Sequence, residues 1–134
     1  MEEEYREQEK LRRFNTRIRT FVFKGEERTN FEEYFRANKI GEEEGEQMRL
    51  KAMKARNTVV RKMGYRKIVI GLVIVGVSAT IFFMTIGMVA EIKRNLDLAV
   101  YGGLAVGSLF LSSGFIYTLA PGYRKGEVND PEAD

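Results

Sequence analysis

Residues 68–90 read IVIGLVIVGVSATIFFMTIGMVA, and residues 98–120 read LAVYGGLAVGSLFLSSGFIYTLA. Neither stretch holds a charged residue. At about 1.5 Å rise per residue a helix of either length covers about 34 Å, enough to cross a hydrocarbon core of about 30 Å. Nothing else among the 134 residues is apolar enough to surround two such helices in water. The pattern therefore predicts an all-α membrane protein built on a two-span transmembrane helical hairpin. The connecting residues, EIKRNLD, are too few for a domain and too charged for lipid. They predict a turn at an interface over 91–97, between antiparallel spans at 68–90 and 98–120.

Whole-chain averages conceal this organisation. A composition 44% hydrophobic and 31% charged, with a mean hydropathy of −0.29, describes an ordinary soluble protein. The two kinds of residue are segregated, however, and residues 1–67 carry 18 Lys/Arg against 13 Asp/Glu. Arg61, Lys62, Arg66 and Lys67 precede the first stretch and Arg124 and Lys125 follow the second, whereas the turn offers only Lys93 and Arg94. By the positive-inside rule both termini are expected on the cytosolic side, or the matrix side in a mitochondrion. Tyr65, Arg66 and Lys67 at one edge, with Tyr123, Arg124 and Lys125 at the other, are the expected interfacial anchors. The basic residues lie among acidic ones and beside a span, so a pI near 9.2 does not point to nucleic acid as a partner.

Absent residues narrow the chemistry. Without Cys there is no disulfide, thiolate metal site or Cys nucleophile. Without His the commonest general base and transition-metal ligand are missing. The glycines match neither a phosphate loop nor a dinucleotide fingerprint. The expectation is a protein that is not an enzyme, with no metal, no cofactor and no small-molecule substrate.

Small residues are expected to pack the helices. Gly103 and Gly107 form a GxxxG, and helical spacing places Ala99, Gly103, Gly107 and Gly114 on one stripe. On the first span Gly76, Thr80 and Gly87 share a face. These stripes would meet within the hairpin or on helices of other subunits. The glycine-rich hairpin resembles the c subunit of rotary ATP synthases in outline. The resemblance implies a carboxylate midway along the second helix, and GSLFLSSG has none there, so ion transport by this chain is not expected.

The polar half reads as an extended helical arm over 1–66. Residues 5–23 form a basic amphipathic stretch with Leu11, Phe14 and Ile18 at helical spacing. Residues 30–39 form a short helix, capped by Thr29 or Asn30, that carries Phe31, Tyr34 and Phe35 on one face. That helix is too short to make its own core, so these six apolar residues are expected to contact a partner or a membrane surface. Residues 42–66 form a long helix running into the first span, with a bend at Gly64. The acidic C-terminal tail, 121–134, starts at Pro121-Gly122 and reads as solvated and mobile.

These features lead to an expected non-catalytic accessory subunit of a membrane complex, with other membrane-protein subunits and lipid as partners. The expected setting is a respiratory or ATP synthase complex of the mitochondrial inner membrane. The alternative is a stand-alone adaptor or membrane-shaping hairpin of the ER or vesicles, whose segment 10–19 binds anionic lipid.

Overall fold

The computed structural model describes residues 2–86 and 90–132, which contain helices and turns and no strand. Helix α1 covers Glu2–Lys24, α2 Arg28–Ala37, α3 Glu42–Met84 and α4 Ala90–Leu119, followed by one 3-10 turn at Pro121–Tyr123. The chain divides into a polar unit, Met1–Val60 with Arg124–Asp134, and an apolar unit, Arg61–Tyr123.

Two sharp reversals shape the polar unit. At the end of α1 the Glu26 N–H donates to Phe21 O at 3.1 Å and the Gly25 N–H to Val22 O at 3.2 Å, with Gly25 at φ 76°. At the end of α2 the Ile40 N–H donates to Phe35 O at 3.0 Å and the Lys39 N–H to Arg36 O at 3.3 Å, with Lys39 at φ 54°. Both are Schellman closures, in which a left-handed residue lets its own amide and the next one satisfy the last carbonyls. Glycine occupies that residue at no steric cost; Lys39 does not.

The reversals bring three short apolar faces together. Ile18 and Val22 from α1, Phe31 and Phe35 from α2, and Ala52 from α3 form one buried core, flanked by Phe21, Tyr34, Ile40 and Met48. The rings of Phe21 and Phe31 meet edge to face at 5.8 Å, as do those of Phe21 and Tyr34 at 5.4 Å and Phe14 and Tyr34 at 6.3 Å. Phe35 lies against α3 so closely that a Cβ at Gly45 would come within 2.9 Å of its ring.

The arm is therefore folded, which corrects the expectation of an extended one. No single face is large enough for a core, but the three faces converge. The expected cap at Thr29 or Asn30 is also displaced. Helix α2 starts at Arg28, its N-cap Glu27 makes no side-chain cap bond, and the Asn30 amide reaches Glu26 instead. The tight closure at Gly25 leaves only two residues before the next helix, so α2 begins earlier than its side chains suggest.

In the apolar unit α3 continues through Gly64 without a break and ends at Met84, short of the expected Ala90. Just past its end the Thr85 hydroxyl donates to Phe82 O at 2.8 Å. Helix α4 already starts at Ala90, so 91–97 is helical rather than a loop. Charge marks contact with water, not irregular backbone, and a helix satisfies its own amides at an interface just as well. The two helices are long and apolar enough to cross a membrane, with mean hydropathies of 2.3 and 1.6 over their most apolar 18 residues. Only 11% and 17% of their most apolar windows is buried within the chain.

Gly25→Ala should destabilise the polar unit, because a left-handed φ costs an L-residue roughly 1–2 kcal/mol. The added Cβ would also lie 3.0 Å from Gly126 O. Lys39→Gly should act oppositely, gaining up to about 1 kcal/mol. Denaturant titration of the full chain in detergent, followed by near-ultraviolet circular dichroism, checks both signs.

Candidate functional site

Two constellations stand out, one in each unit. In the apolar unit α3 and α4 meet along an antiparallel seam of small residues. A Cβ placed on Gly64 would lie 2.5 Å from Thr118 Oγ1 and 2.8 Å from Gly114 O. One on Gly114 would lie 2.7 Å from Ile68 Cγ1 and 2.8 Å from Gly64 O. Gly71 and Gly107 repeat the arrangement, at 2.9 Å from Gly107 O and 2.7 Å from Val75 Cγ2 respectively. Farther along, Gly103 faces Ser78. At each glycine pair the opposing neighbour includes backbone, which cannot rotate aside as a side chain can.

The seam has a seven-residue period. Gly64, Gly71 and Ser78 supply it from α3 with Thr85 just past its end, and Val100, Gly107 and Gly114 from α4, all buried. Such a repeat keeps one stripe of each helix facing its partner in a left-handed pair. Helical spacing within the uncharged runs picks out Gly103, Gly107 and Gly114, which face α3, but not Gly64, Gly71 and Ser78. Gly76, Thr80 and Ala99 are exposed, and a Cβ on Gly76 would meet nothing within 4 Å. These three belong to the outer surface of the hairpin, not to its seam; Gly87 lies outside the described residues. The Thr80, Ser112 and Thr118 hydroxyls donate to carbonyls one turn back, at 2.8–2.9 Å.

In the polar unit the C-terminal tail is docked, where the sequence suggests a solvated end. The Arg19 guanidinium grips Asp130 with two bonds, Nε to Oδ2 at 2.5 Å and Nη2 to Oδ1 at 2.7 Å, and Nη1 reaches Glu132 at 2.7 Å. The Val128 N–H donates to Phe23 O at 2.8 Å, and Val128 is only 3% exposed. Arg56, 9% exposed, donates Nη2 to the carbonyls of Arg124 at 2.8 Å and Gly126 at 2.9 Å, while its Nε finds no partner among the described residues. Hydrogen bonding from Arg19 holds the Asp130 carboxyl below its usual range. Burial, with the nearby Arg124 charge, lowers the Arg56 pKa. A lone apolar residue followed two positions on by a carboxylate, in an otherwise polar tail, was the available signal for this clasp.

The residues expected to contact partners are mostly committed to the core. Ile18, Phe31 and Phe35 are buried, Phe14 and Tyr34 half-buried in its aromatic rim, and only Leu11 is exposed. Of the expected anchors, Tyr65, Arg66, Tyr123 and Lys125 are exposed, Arg124 is half-buried with its carbonyl on Arg56, and Lys67 lies 4.5 Å over the Tyr117 ring. No known protein family, curated protein or solved structure matches this chain.

Gly71→Ala and Gly107→Ala should each destabilise the hairpin by about 1–3 kcal/mol through overpacking, whereas Gly76→Ala should be neutral or mildly stabilising. Thermal unfolding of the helices in detergent, followed at 222 nm (roughly the helix band set by the amide ladder), separates the two classes.

For the clasp, the depressed Asp130 pKa means its stabilisation is present above the ordinary carboxylate value of 3.8 and is lost as pH falls through the lower folded value. Amide protection of Val128 should therefore drop on acidification below that range. It should be weak at every pH in Asp130→Asn.

Proposed function

We propose that the apolar unit spans a bilayer as a hairpin and that the protein is a non-catalytic structural subunit of a membrane-protein assembly. The supporting observation is the division of the hairpin into two surfaces. Its inner stripe is closed by glycines against its own partner helix, while most of its apolar surface faces outward and is uncovered. Core helices of soluble proteins are mostly buried, and these are not. Helices in lipid gain little from burying apolar area and associate through close approach at small residues. Gly76, Thr80 and Ala99, left exposed by the seam, are the positions where a neighbouring span could come near.

In this reading the basic flanks favour the cytosolic or matrix side for both ends. A complex of the mitochondrial inner membrane is the setting we propose. A stand-alone adaptor that lays the basic stretch into lipid is less well supported, because that stretch needs a free apolar face. Ile18 and Val22 on α1 are buried in the core instead.

The test is the native mass of the protein extracted from its own membrane in mild detergent, with identification of whatever co-migrates. We expect a large assembly with named membrane subunits. Gly76→Leu should weaken that co-migration while leaving the monomer's helical unfolding intact. Migration of the wild type as a small monomer would overturn the proposal.

A further inference from the structure

The apolar unit opens with four cations in two turns, Arg61, Lys62, Arg66 and Lys67. Among the described residues no ion pair engages any of them. The seam sets this end against the last turns of α4, through Gly64 and Thr118, and those turns carry no carboxylate. The unit's acidic residues, Glu91 and Asp97, belong to the start of α4. Among the described residues, the charge at this end has no counter-ion within its own unit.

Direction matters as much as charge. Lys62, Tyr65, Arg66 and Val69 follow i, i+3, i+4, i+7 spacing and share one face of α3, which Val73 continues. Tyr65, Val69 and Val73 are each 60% exposed, and Arg61, Lys62 and Arg66 are exposed as well. This face points away from the seam, so the cations cap the apolar stripe that would meet lipid chains. An acidic peptide would satisfy the cations but leave the valines below them uncovered. An amphiphile with a negatively charged head over acyl chains satisfies both.

We propose that Arg61, Lys62, Tyr65 and Arg66 form a binding surface for the headgroups of phospholipids with net negative charge. Arginine and lysine engage the phosphate, and the Tyr65 hydroxyl is placed to donate at the ester level. A zwitterionic headgroup supplies its own ammonium and so gains less from the same cations. The proposal rests on the reading that the hairpin spans a bilayer.

The experiment uses the full chain reconstituted in phosphatidylcholine vesicles containing trace spin-labelled phosphatidylglycerol or, separately, spin-labelled phosphatidylcholine. The fraction of each label immobilised by the protein gives their relative association. We expect phosphatidylglycerol to be preferred, the preference to weaken with salt, and each cation removed to cost roughly fivefold at most. The triple variant Arg61→Gln, Lys62→Gln, Arg66→Gln should abolish it, while Lys10→Gln, Arg12→Gln, Arg17→Gln on α1 should not. Equal association of both labels, or a preference that survives the first variant or vanishes with the second, overturns the lipid surface alone. A protein that fails to float with the vesicles overturns the spanning reading together with it.

Discussion

The distance between α3 and α4 is set by atoms that are missing. At Gly64, Gly71, Gly107 and Gly114 no Cβ stands between one helix and the carbonyl oxygens of the other. Lipid tails do not press helices together, so a hairpin in a bilayer is held by dispersion across a close contact and little else. That closeness also fixes what the outer surface can be. Once the small residues are used inside, the remaining positions are dominated by large apolar side chains such as Leu72, Phe83 and Leu109, all exposed. The seam and the uncovered exterior are therefore one design.

The polar unit depends on the hairpin in a different way. Its clasp joins Arg19 to Asp130 across 111 positions of sequence, with both apolar helices in between. Residues 124–132 can reach α1 only after the chain has returned through α4. The contact is costly in loop closure unless the hairpin has already removed most of that freedom. Arg56 adds a second tie to the same segment by spending its donors on tail carbonyls rather than on a carboxylate. A guanidinium buried this way keeps its charge, so the tail backbone supplies the solvation that water would have supplied.

How much of this was legible in the sequence differs by element. The two apolar helices announce themselves, because uncharged runs of that length have few other fates. Their ends do not: α3 stops at Met84 and α4 starts at Ala90, both within the first uncharged run, so the change of helix leaves no mark in hydropathy. The seam was half legible. Gly103 and Gly107 stand out as a GxxxG, but the true period is seven, and Gly64 lies outside the uncharged run. The core of the polar unit was hidden for a combinatorial reason, since Phe31 and Phe35 look stranded until two left-handed closures, one at an unremarkable lysine, fold α1 and α3 onto them. Long-range pairs such as Arg19 with Asp130 leave no local trace at all.

Turning the aromatic residues inward changes what a partner can recognise. With Ile18, Phe31 and Phe35 in the core, the outer side of α1 presents Lys10, Arg12 and Arg17, and the start of α3 presents Glu42, Glu43 and Glu44, all exposed. Contacts made by that surface are charge pairs in water, worth little singly and screened within about 8 Å at physiological salt. Contacts made by the outer faces of the hairpin are dispersion contacts that salt does not touch. On the reading proposed for this protein, the two attachments are thus of different physical kinds. Raising the ionic strength should loosen the polar unit from a neighbour while the hairpin stays bound. On the same reading, the glycine seam keeps the hairpin's own helices paired and so leaves its outer faces free for a neighbour.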